Sequence, residues 1–234
     1  MKGIYLETVD STNDYIKRNA DKFSHGDYLF TYSQTNGRGR RGRNWESDSK
    51  GIALSIFVNA DSFPERISLA AANAVIRVLK RQIRMPFEIK WPNDILLNGK
   101  KLCGILCENA KNGYIVGIGI NISQTADDFS ALSLPYATSV FIESGKTVSG
   151  EKIAKKIALS LTRQLKKQKE KVFKEYSKNC ATLNKRIRVI AVDEEYEATA
   201  LGLSENGGLI IQTDDGKIKT VISGEVSVRG IYGY

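Results

Sequence analysis

Four arginines are threaded between three glycines over Gly37-Arg38-Gly39-Arg40-Arg41-Gly42-Arg43, and Asn44 and Trp45 follow at once. Arginine offers a planar fork of donors that fits a phosphate or carboxylate, and glycine lets backbone N–H groups come close to the same oxygens. The chemistry of such a stretch is anion binding. With four repelling cations and little apolar surface, it is expected to be a mobile loop that orders on its ligand. Taken alone, the run fits equally a solvated basic loop or a nonspecific nucleic-acid patch, which reads phosphate charge.

A second constellation narrows the choice. Lys90-Trp91-Pro92-Asn93-Asp94 ends one strand-like run in a turn, because Pro92 keeps the residue before it extended and Asn93-Asp94 place an amide and a carboxylate where sheet meets loop. Lys100-Lys101 then start a run that contains Gly104 in mid-strand, and Gly117-Ile118-Gly119-Ile120-Asn121 repeats the feature. Mid-strand glycines mark bulges or close approach of a ligand, and two neighbouring runs suggest a floor on which a flat ring system could lie. Trp45 supplies a stacking surface. With His25 as the only histidine there is no Ser-His-Asp set, and neither a P-loop pattern nor a metal-ligand cluster is present. What is left is catalysis by positioning and charge neutralisation, the help that a carboxylate attacking a polyphosphate needs.

The elements that must hold these residues are legible in outline. The chain has 234 residues, 41% hydrophobic and 26% charged, enough for one large core and a small second domain. Ser11-Thr12-Asn13 is a plausible N-cap for a helix over 14–19, and 28–32 and 52–58 alternate as strands. Pro64 opens a helix to about Arg81. Runs at 88–91, 95–97, 101–108 and 114–122 form a sheet, with Asn98-Gly99 as a tight hairpin turn. Residues 151–178 hold ten Lys/Arg against three Asp/Glu, a net +7 of the chain's +9. The apolar period Ile153, Ile157, Leu161, Leu165 makes them the outer face of one amphipathic helix. From residue 184 on, short strands at 186–192, 196–201, 209–213, 217–222 and 226–231 predict a small antiparallel barrel. The fold class expected is α+β, with residues 1–183 as the ligand-binding domain and 184–234 as the barrel.

Taken in order, Ser11-Thr12-Asn13, Gln34-Thr35 before Gly37–Trp45, Lys90–Asp94, Lys101–Leu106 ending at Glu108, Gly117–Asn121 and Ser223–Arg229 resemble biotin protein ligase, the biotin–[acetyl-CoA-carboxylase] ligase. The resemblance spans nearly the whole chain. It implies a mixed or antiparallel sheet with flanking helices, of the class II synthetase-like biotin/lipoate ligase fold, and an SH3-like C-terminal barrel. It implies activation of biotin with ATP and Mg2+ to biotinyl-5′-AMP, then transfer to a lysine of the biotin carboxyl carrier protein. By position, Ser11, Thr12, Asn13, Gln34, Gly37, Arg38, Arg40, Gly104 and Gly117 would bind biotin. Arg43, Trp45, Lys90, Asn93, Asp94, Asn121 and Arg229 would serve the nucleotide, with Asp94 also facing the metal through the phosphates. Lys101 would be the main catalytic cation, aided by Arg40 and Arg43.

The Ser11-Thr12-Asn13 motif follows only ten residues of chain, so the helix-turn-helix of family members that are also repressors is not expected, nor is DNA binding despite a pI of about 9.4. No membrane span or export signal is read, which points to a cytoplasmic monomer or homodimer. Lipoate ligation by the same fold, octanoyl transfer through Cys103 or Cys107, and a nucleic-acid-binding module remain the competing expectations. Neither a disulfide framework nor a zinc site is expected from Cys103, Cys107 and Cys180.

Overall fold

A computed structural model describes residues 1–47, 49–59, 64–190, 195–222 and 225–228. The chain runs through β1 (Gly3–Tyr5), β2 (Thr8–Val9), α1 (Thr12–Arg18), β3 (Tyr28–Thr31), β4 (Ser33–Gln34), β5 (Gly51–Asn59) and α2 (Pro64–Gln82). It continues through β6 (Phe87–Lys90), β7 (Asp94–Leu97), β8 (Lys100–Ala110), β9 (Gly113–Asn121), α3 (Ala126–Ala131), α4 (Val140–Ser144), α5 (Gly150–Leu165) and α6 (Lys169–Asn179). It ends with β10 (Arg186–Ile190), β11 (Glu195–Leu203), β12 (Leu209–Thr213), β13 (Ile218–Val221) and β14 (Glu225–Val228).

Seven strands form one mixed sheet in the order β1-β3-β5-β9-β8-β7-β6, in which β1 and β3 are parallel and the remaining neighbours antiparallel. Strand alternation divides this sheet into two faces. Ile52, Leu54 and Ile56 of β5 and Val116, Ile118 and Ile120 of β9 pack with the inner faces of α2, α5 and α6 in the main core. Phe57 and Ile115 point the other way and pack with Ile16 of α1, Phe23 and Leu29. Ser11 starts α1, its hydroxyl accepting from the Asp14 backbone N–H. Between β7 and β8, Asn98 and Gly99 both have positive φ, 51° and 73°, the backbone that a two-residue hairpin turn requires.

The single basic helix expected over 151–178 is two helices, α5 and α6. The guanidinium of Arg66 on α2 donates to the Leu165 and Lys167 carbonyls and so ends α5. The buried positions then move from Ile153, Ile157 and Leu161 to Val172 and Tyr176, a change of phase that lets both helices lie on α2. Two short helices escaped sequence reading altogether. α3 and α4 have six and five residues and are set by caps, a Thr125–Asp128 capping box and the Ser139 hydroxyl, with no apolar period to reveal them. No helix among the described residues is long and apolar enough to cross a membrane.

The C-terminal strands make a second, antiparallel sheet in the order β13-β12-β11-β10-β14. Its inner residues Ile187, Val189, Ala198, Ala200, Leu209 and Ile211 belong to the same continuous core as the first sheet. Trp91 joins the two. Its indole N–H donates to the Gly207 carbonyl at 3.0 Å, its backbone N–H donates to the Thr182 hydroxyl at 2.9 Å, and the side chain is 2% exposed. Replacing Trp91 by Phe removes one donor and leaves a buried carbonyl unpaired, a loss of about 1–3 kcal/mol. The expected result is a lower urea midpoint in equilibrium unfolding; an unchanged midpoint would show that this contact does not hold the sheets together.

Candidate active site

The face of the large sheet opposite α2 is only half covered. α1 lies over Phe57 and Ile115 and stops there, so the remainder of that face is the floor of a cavity of about 850 Å³. Strand register gives the floor its pattern. One row runs Ala53, Gly119, Gly104, Asp94 across β5, β9, β8 and β7, and the next runs Ser55, Gly117, Leu106. Cross-strand partners share a face, so Gly104 and Gly119, paired directly, leave a patch of bare backbone.

The flat ring on that patch belongs to the chain itself. A Cβ at Gly119 would overlap the indole of Trp45, and one at Gly104 would stand 3.0 Å from the same ring. At Gly117 the close neighbour is the amide of Asn13, 2.5 Å from a Cβ placed there. The mid-strand glycines therefore admit side chains from a loop and from α1; sequence alone could not distinguish these from a ligand. The Arg-Gly segment forms a small hairpin, with the Trp45 N–H donating to the Gly37 carbonyl at 3.0 Å and the Gly39 N–H to the Arg43 carbonyl at 2.7 Å. Gly37 lies beneath this hairpin: the Trp45 carbonyl and the Gln34 amide leave no room for a Cβ, and it does not line the cavity.

The segment is held by its own arginines. Arg38 Nη2 lies 2.6 Å from Asp14 Oδ1 and 3.0 Å from Glu108 Oε2. Arg40 donates to Asn93 Oδ1 at 3.0 Å, and Arg41 donates to the Ile190 carbonyl at 3.4 Å, reaching the second sheet. Asn93 in turn donates to the Ile105 carbonyl at 2.9 Å, which fixes the turn after Pro92, where the Trp91–Pro92 bond is cis.

Lys101 reaches the site because β8 is irregular. By strict alternation, residues 101 and 104 would face opposite sides of the sheet. The register slips between Ile95 and Leu96 of β7, whose partners on β8 are Cys103 and Lys101, and this bulge buries both Leu102 and Cys103 while turning Lys101 to the cavity face. The ammonium lies 2.9 Å from Asp94 Oδ1 and 5.8 Å from the centre of the Trp45 ring. Lys90 is 7% exposed at the end of β6 and also lines the cavity. The two thiols on β8 face the core, not the cavity. Burial pushes the Cys107 thiol up to about 12 and Cys103 higher still, so both are neutral at physiological pH and poor nucleophiles.

The inner end of the cavity, beneath the N-terminus of α1, is polar without net charge at its centre. Gln34 Oε1 accepts from the Thr12 backbone N–H at 2.9 Å and from its hydroxyl at 3.1 Å. The Ser55 hydroxyl lies 2.6 Å from Asn13 Oδ1 and 2.7 Å from Thr12 Oγ1. At the outer end, Asn121 donates to the Thr138 carbonyl at 2.9 Å, and Lys101 exchanges backbone hydrogen bonds with Tyr136 and Thr138. These contacts hold a flap of Leu132, Ser133, Leu134, Pro135, Tyr136 and Ala137 along the cavity rim. A second concavity of about 790 Å³, lined by Phe23, His25, Asn59 and Asn112, lies at the far end of the sheet; its one carboxylate, Asp21, faces Lys111.

Ser11, Thr12, Asn13, Gln34, Arg38, Arg40, Arg43, Trp45, Lys90, Asn93, Asp94, Lys101, Gly104, Gly117 and Asn121 thus line one cavity. Arg229 and the motif residues Ser223 and Gly224 lie outside the described residues. Sequence reasoning missed Asp14 and Glu108, whose partner Arg38 is distant in the chain, and the flap, which has no charge pattern to mark it. It also left out Gly119, although the residue sits in the same motif as Gly117, and Arg188 and Ile190 of β10, which join the lining from the second sheet. Among the described residues no group of three His, Cys, Asp or Glu is placed to hold a metal ion. Two carboxylates, Glu46 and Asp94, line the cavity near its cations, and Asp94 would suit a Mg2+ brought in with a polyphosphate.

Residues 5–124 match the biotin/lipoate A/B protein ligase family, and residues 182–229 match the biotin protein ligase C-terminal domain. The chain is similar to the bifunctional ligase/repressor BirA of Escherichia coli, 29% identical over 96% of this chain and 73% of that protein. It is similar to the biotin–[acetyl-CoA-carboxylase] ligase of Mycobacterium tuberculosis, 29% identical over 95% of this chain and 87% of that one. A solved structure of biotin protein ligase from Aquifex aeolicus in complex with biotin and ATP superposes with a TM-score of 0.85, at 31% identity, covering 97% of this chain and 98% of the other.

A methyl group at Gly119 is expected to dislodge the indole. Trp91 is buried, so the quenchable part of the tryptophan emission reports Trp45. In Gly119→Ala the acrylamide quenching constant should rise about two- to threefold as the ring loses its backbone seat. An unchanged constant would show that the indole does not rest on the floor.

Proposed function

We propose that this chain, which belongs to the biotin/lipoate A/B protein ligase family, is a biotin protein ligase that activates biotin with ATP and passes the biotinyl group to a lysine of a biotin carboxyl carrier protein. The observation that carries the proposal is the gradation along one cavity: uncharged donors and acceptors at its inner end, a ring-covered bare floor in the middle, and Arg40, Arg43 and Lys101 at its outer end.

Each part of that gradient has work in the reaction. A ureido ring has two N–H donors and one carbonyl, which Ser11, Thr12, Asn13 and Gln34 can meet in kind, whereas the sulfur ring of lipoate would leave such groups unpaired. With the ring held there, the valerate carboxylate points toward Lys101. Its oxygen attacks the α-phosphorus of ATP as the bond to the pyrophosphate oxygen breaks, giving the acyl adenylate and pyrophosphate. Both reactants are anions. Lys101, a fixed ammonium on a bulged strand, lowers their repulsion and stabilises charge gathering on the phosphate; Arg40 and Arg43 do the same from the loop. Mg2+ would supply further charge neutralisation, held by the phosphates and by Asp94. The flap around Tyr136, facing the Trp45 ring on the floor, would border the mixed anhydride and keep water from it. In the second step the acceptor amine attacks the acyl carbon, AMP leaves, and a proton is released from nitrogen.

The finer assignments follow the same logic. Residues 1–183 would hold the chemistry, and the second sheet, whose Arg188 and Ile190 line the cavity, would complete its outer end; Arg229 is assigned to the nucleotide by its place in the family motif. A cytoplasmic location would suit a carrier protein and ATP as substrates, and DNA binding is not required by this site. A nucleic-acid module would have no use for a polar inner cavity behind the loop. Octanoyl transfer through a thiol is disfavoured by Cys103 and Cys107, whose burial keeps them protonated.

Biotin-dependent exchange of labelled pyrophosphate into ATP tests the adenylation step directly. Exchange should appear with biotin and not with lipoate or octanoate, and Lys101→Ala should lower it about a hundredfold or more, as loss of a transition-state cation does. No exchange with any acid would overturn the proposal. Iodoacetamide at pH 7 should leave both Cys103 and Cys107 unmodified and the exchange rate unaltered; rapid alkylation with loss of activity would reopen the thiol route.

A further inference from the structure

We propose that Tyr176 is a positioning residue of this site: from α6, on the core face of the sheet, its hydroxyl holds the turn after β6 so that Asp94, and through it the Lys101 ammonium, sits where a polyphosphate would be met. The side chain is fully buried, and its hydroxyl donates to the Pro92 carbonyl at 3.1 Å. A tyrosine enters a core for its ring and must find a partner for its oxygen. Here the partner is the turn that carries Asn93 and Asp94. Burial, with smaller contributions from Cys180 and Asp94, raises the phenol well above its usual range, so the hydroxyl keeps its proton at physiological pH.

The Pro92 carbonyl and the Asn93 nitrogen share one rigid peptide plane, so fixing the first orients the second. Asn93 is then locked to β8 twice: its backbone carbonyl accepts from the Ile105 N–H at 3.0 Å, and its side-chain amide donates to the Ile105 carbonyl at 2.9 Å. Asp94 follows as the first residue of β7, opposite Lys90 on β6 and Gly104 on β8, with its carboxylate 2.9 Å from the Lys101 ammonium.

The end of α6 is anchored beside the same turn. Cys180 bridges to Ile89, the Ala181 N–H donates to the Ile89 carbonyl at 2.9 Å, and the Thr182 hydroxyl receives the Trp91 N–H. The Tyr176 ring therefore has a fixed base, and its hydroxyl is a stop against which the turn rests. The polar groups proposed for the ureido ring belong to Ser11, α1 and β4, at the other end of the cavity, which confines the influence of the tyrosine to the cationic end. The placement of Lys101 follows from this geometry; its consequence for the nucleotide rests on the ligase activity proposed above.

Competitive acetylation of the ligand-free full chain with a water-soluble N-hydroxysuccinimide ester, read residue by residue by mass spectrometry, reports the Lys101–Asp94 pair without any assumption about catalysis. The exposed Lys111, at the far end of the sheet, is the internal reference. In Tyr176→Phe, which keeps the ring and removes only the hydroxyl, Lys101 should label about two- to fivefold faster relative to Lys111, the factor expected for loosening one partly exposed ion pair. Asp94→Asn should label at least as fast, and adding Tyr176→Phe to it should cause no further rise, since the group through which the tyrosine acts is already gone. Val172→Ala, one turn earlier on α6 and also fully buried, weakens the core without touching the turn and should leave the labelling unchanged, with circular dichroism confirming that each variant folds. A second arm measures affinity by titration calorimetry: Tyr176→Phe should weaken MgATP binding about three- to tenfold and leave biotin binding unaltered. Equal labelling in wild type and Tyr176→Phe, a further rise in the double variant, or an equal rise in Val172→Ala would overturn the positioning role, as would MgATP bound equally well by wild type and Tyr176→Phe. Faster labelling in Tyr176→Phe, with no binding of MgATP by the wild type, would support the role and overturn the ligase activity alone.

Discussion

The site depends on one steric condition: two directly paired residues in the middle of a seven-stranded sheet must have no side chains. Gly104 and Gly119 meet it, and the indole of Trp45 occupies the space. Glycine in a strand costs about 0.5–1 kcal/mol relative to alanine, chiefly in backbone entropy. The ring contact offsets part of that, and the opposite face offsets more, because Cys103, Ile105, Ile118 and Ile120 fix the same strands into the main core. One face of these strands is rigid through packing so that the other can be bare. A loop carrying an aromatic ring then has a defined place to rest, and the cavity has a defined floor.

Electrostatics follows from the same geometry. A cavity that must receive a carboxylate and a polyphosphate needs several cations within a few ångströms, and such a cluster repels itself. The chain spreads the arginines over different anchors: Arg38 on two carboxylates, Arg40 on the Asn93 amide, Arg41 on a carbonyl of the second sheet. Lys101 is stabilised by Asp94 at 2.9 Å, a pair whose side chains are 33% and 15% exposed and which incoming phosphates can compete for. The cations are thus held in position on separate anchors. Pre-organisation of this sort, with donors in place before charge develops, is what lowers a barrier.

Much of this was legible in the chain because it is local. The Arg-Gly run, the hairpin at Asn98-Gly99, the N-cap at Ser11 and the apolar alternation of β5 and β9 each announce themselves within a few residues. Most of the cavity lining followed from the family resemblance that the order of the motifs carries. What was not legible needs two distant segments at once. The glycines read as openings for a ligand, and only the fold shows that Trp45 and Asn13 fill them. The bulge that turns Lys101 inward is a matter of register between β7 and β8, and a plain alternation rule would have put that lysine on the wrong face. The partnership of Arg38 with Asp14 and Glu108 spans 24 and 70 residues. The break between α5 and α6 is capped by Arg66, about a hundred residues earlier, and no helical period could have disclosed that contact.

The overall charge illustrates how a bulk property can mislead about a site. Net charge of +9 invites a nucleic-acid reading, and most of the excess lies on α5 and α6. These helices pack through Ile153, Ile157, Leu161 and Val172 onto the core face of the sheet, opposite the cavity. Exposed charges separated by much more than a Debye length, about 8 Å at physiological ionic strength, are largely screened from one another. The lysines of α5 and α6 therefore do little for an anion on the far face of the sheet. A reaction in this cavity would draw instead on a few cations that contribute little to the sum, held by the strand bulge and by their ion pairs, where distance and partial burial make each one count.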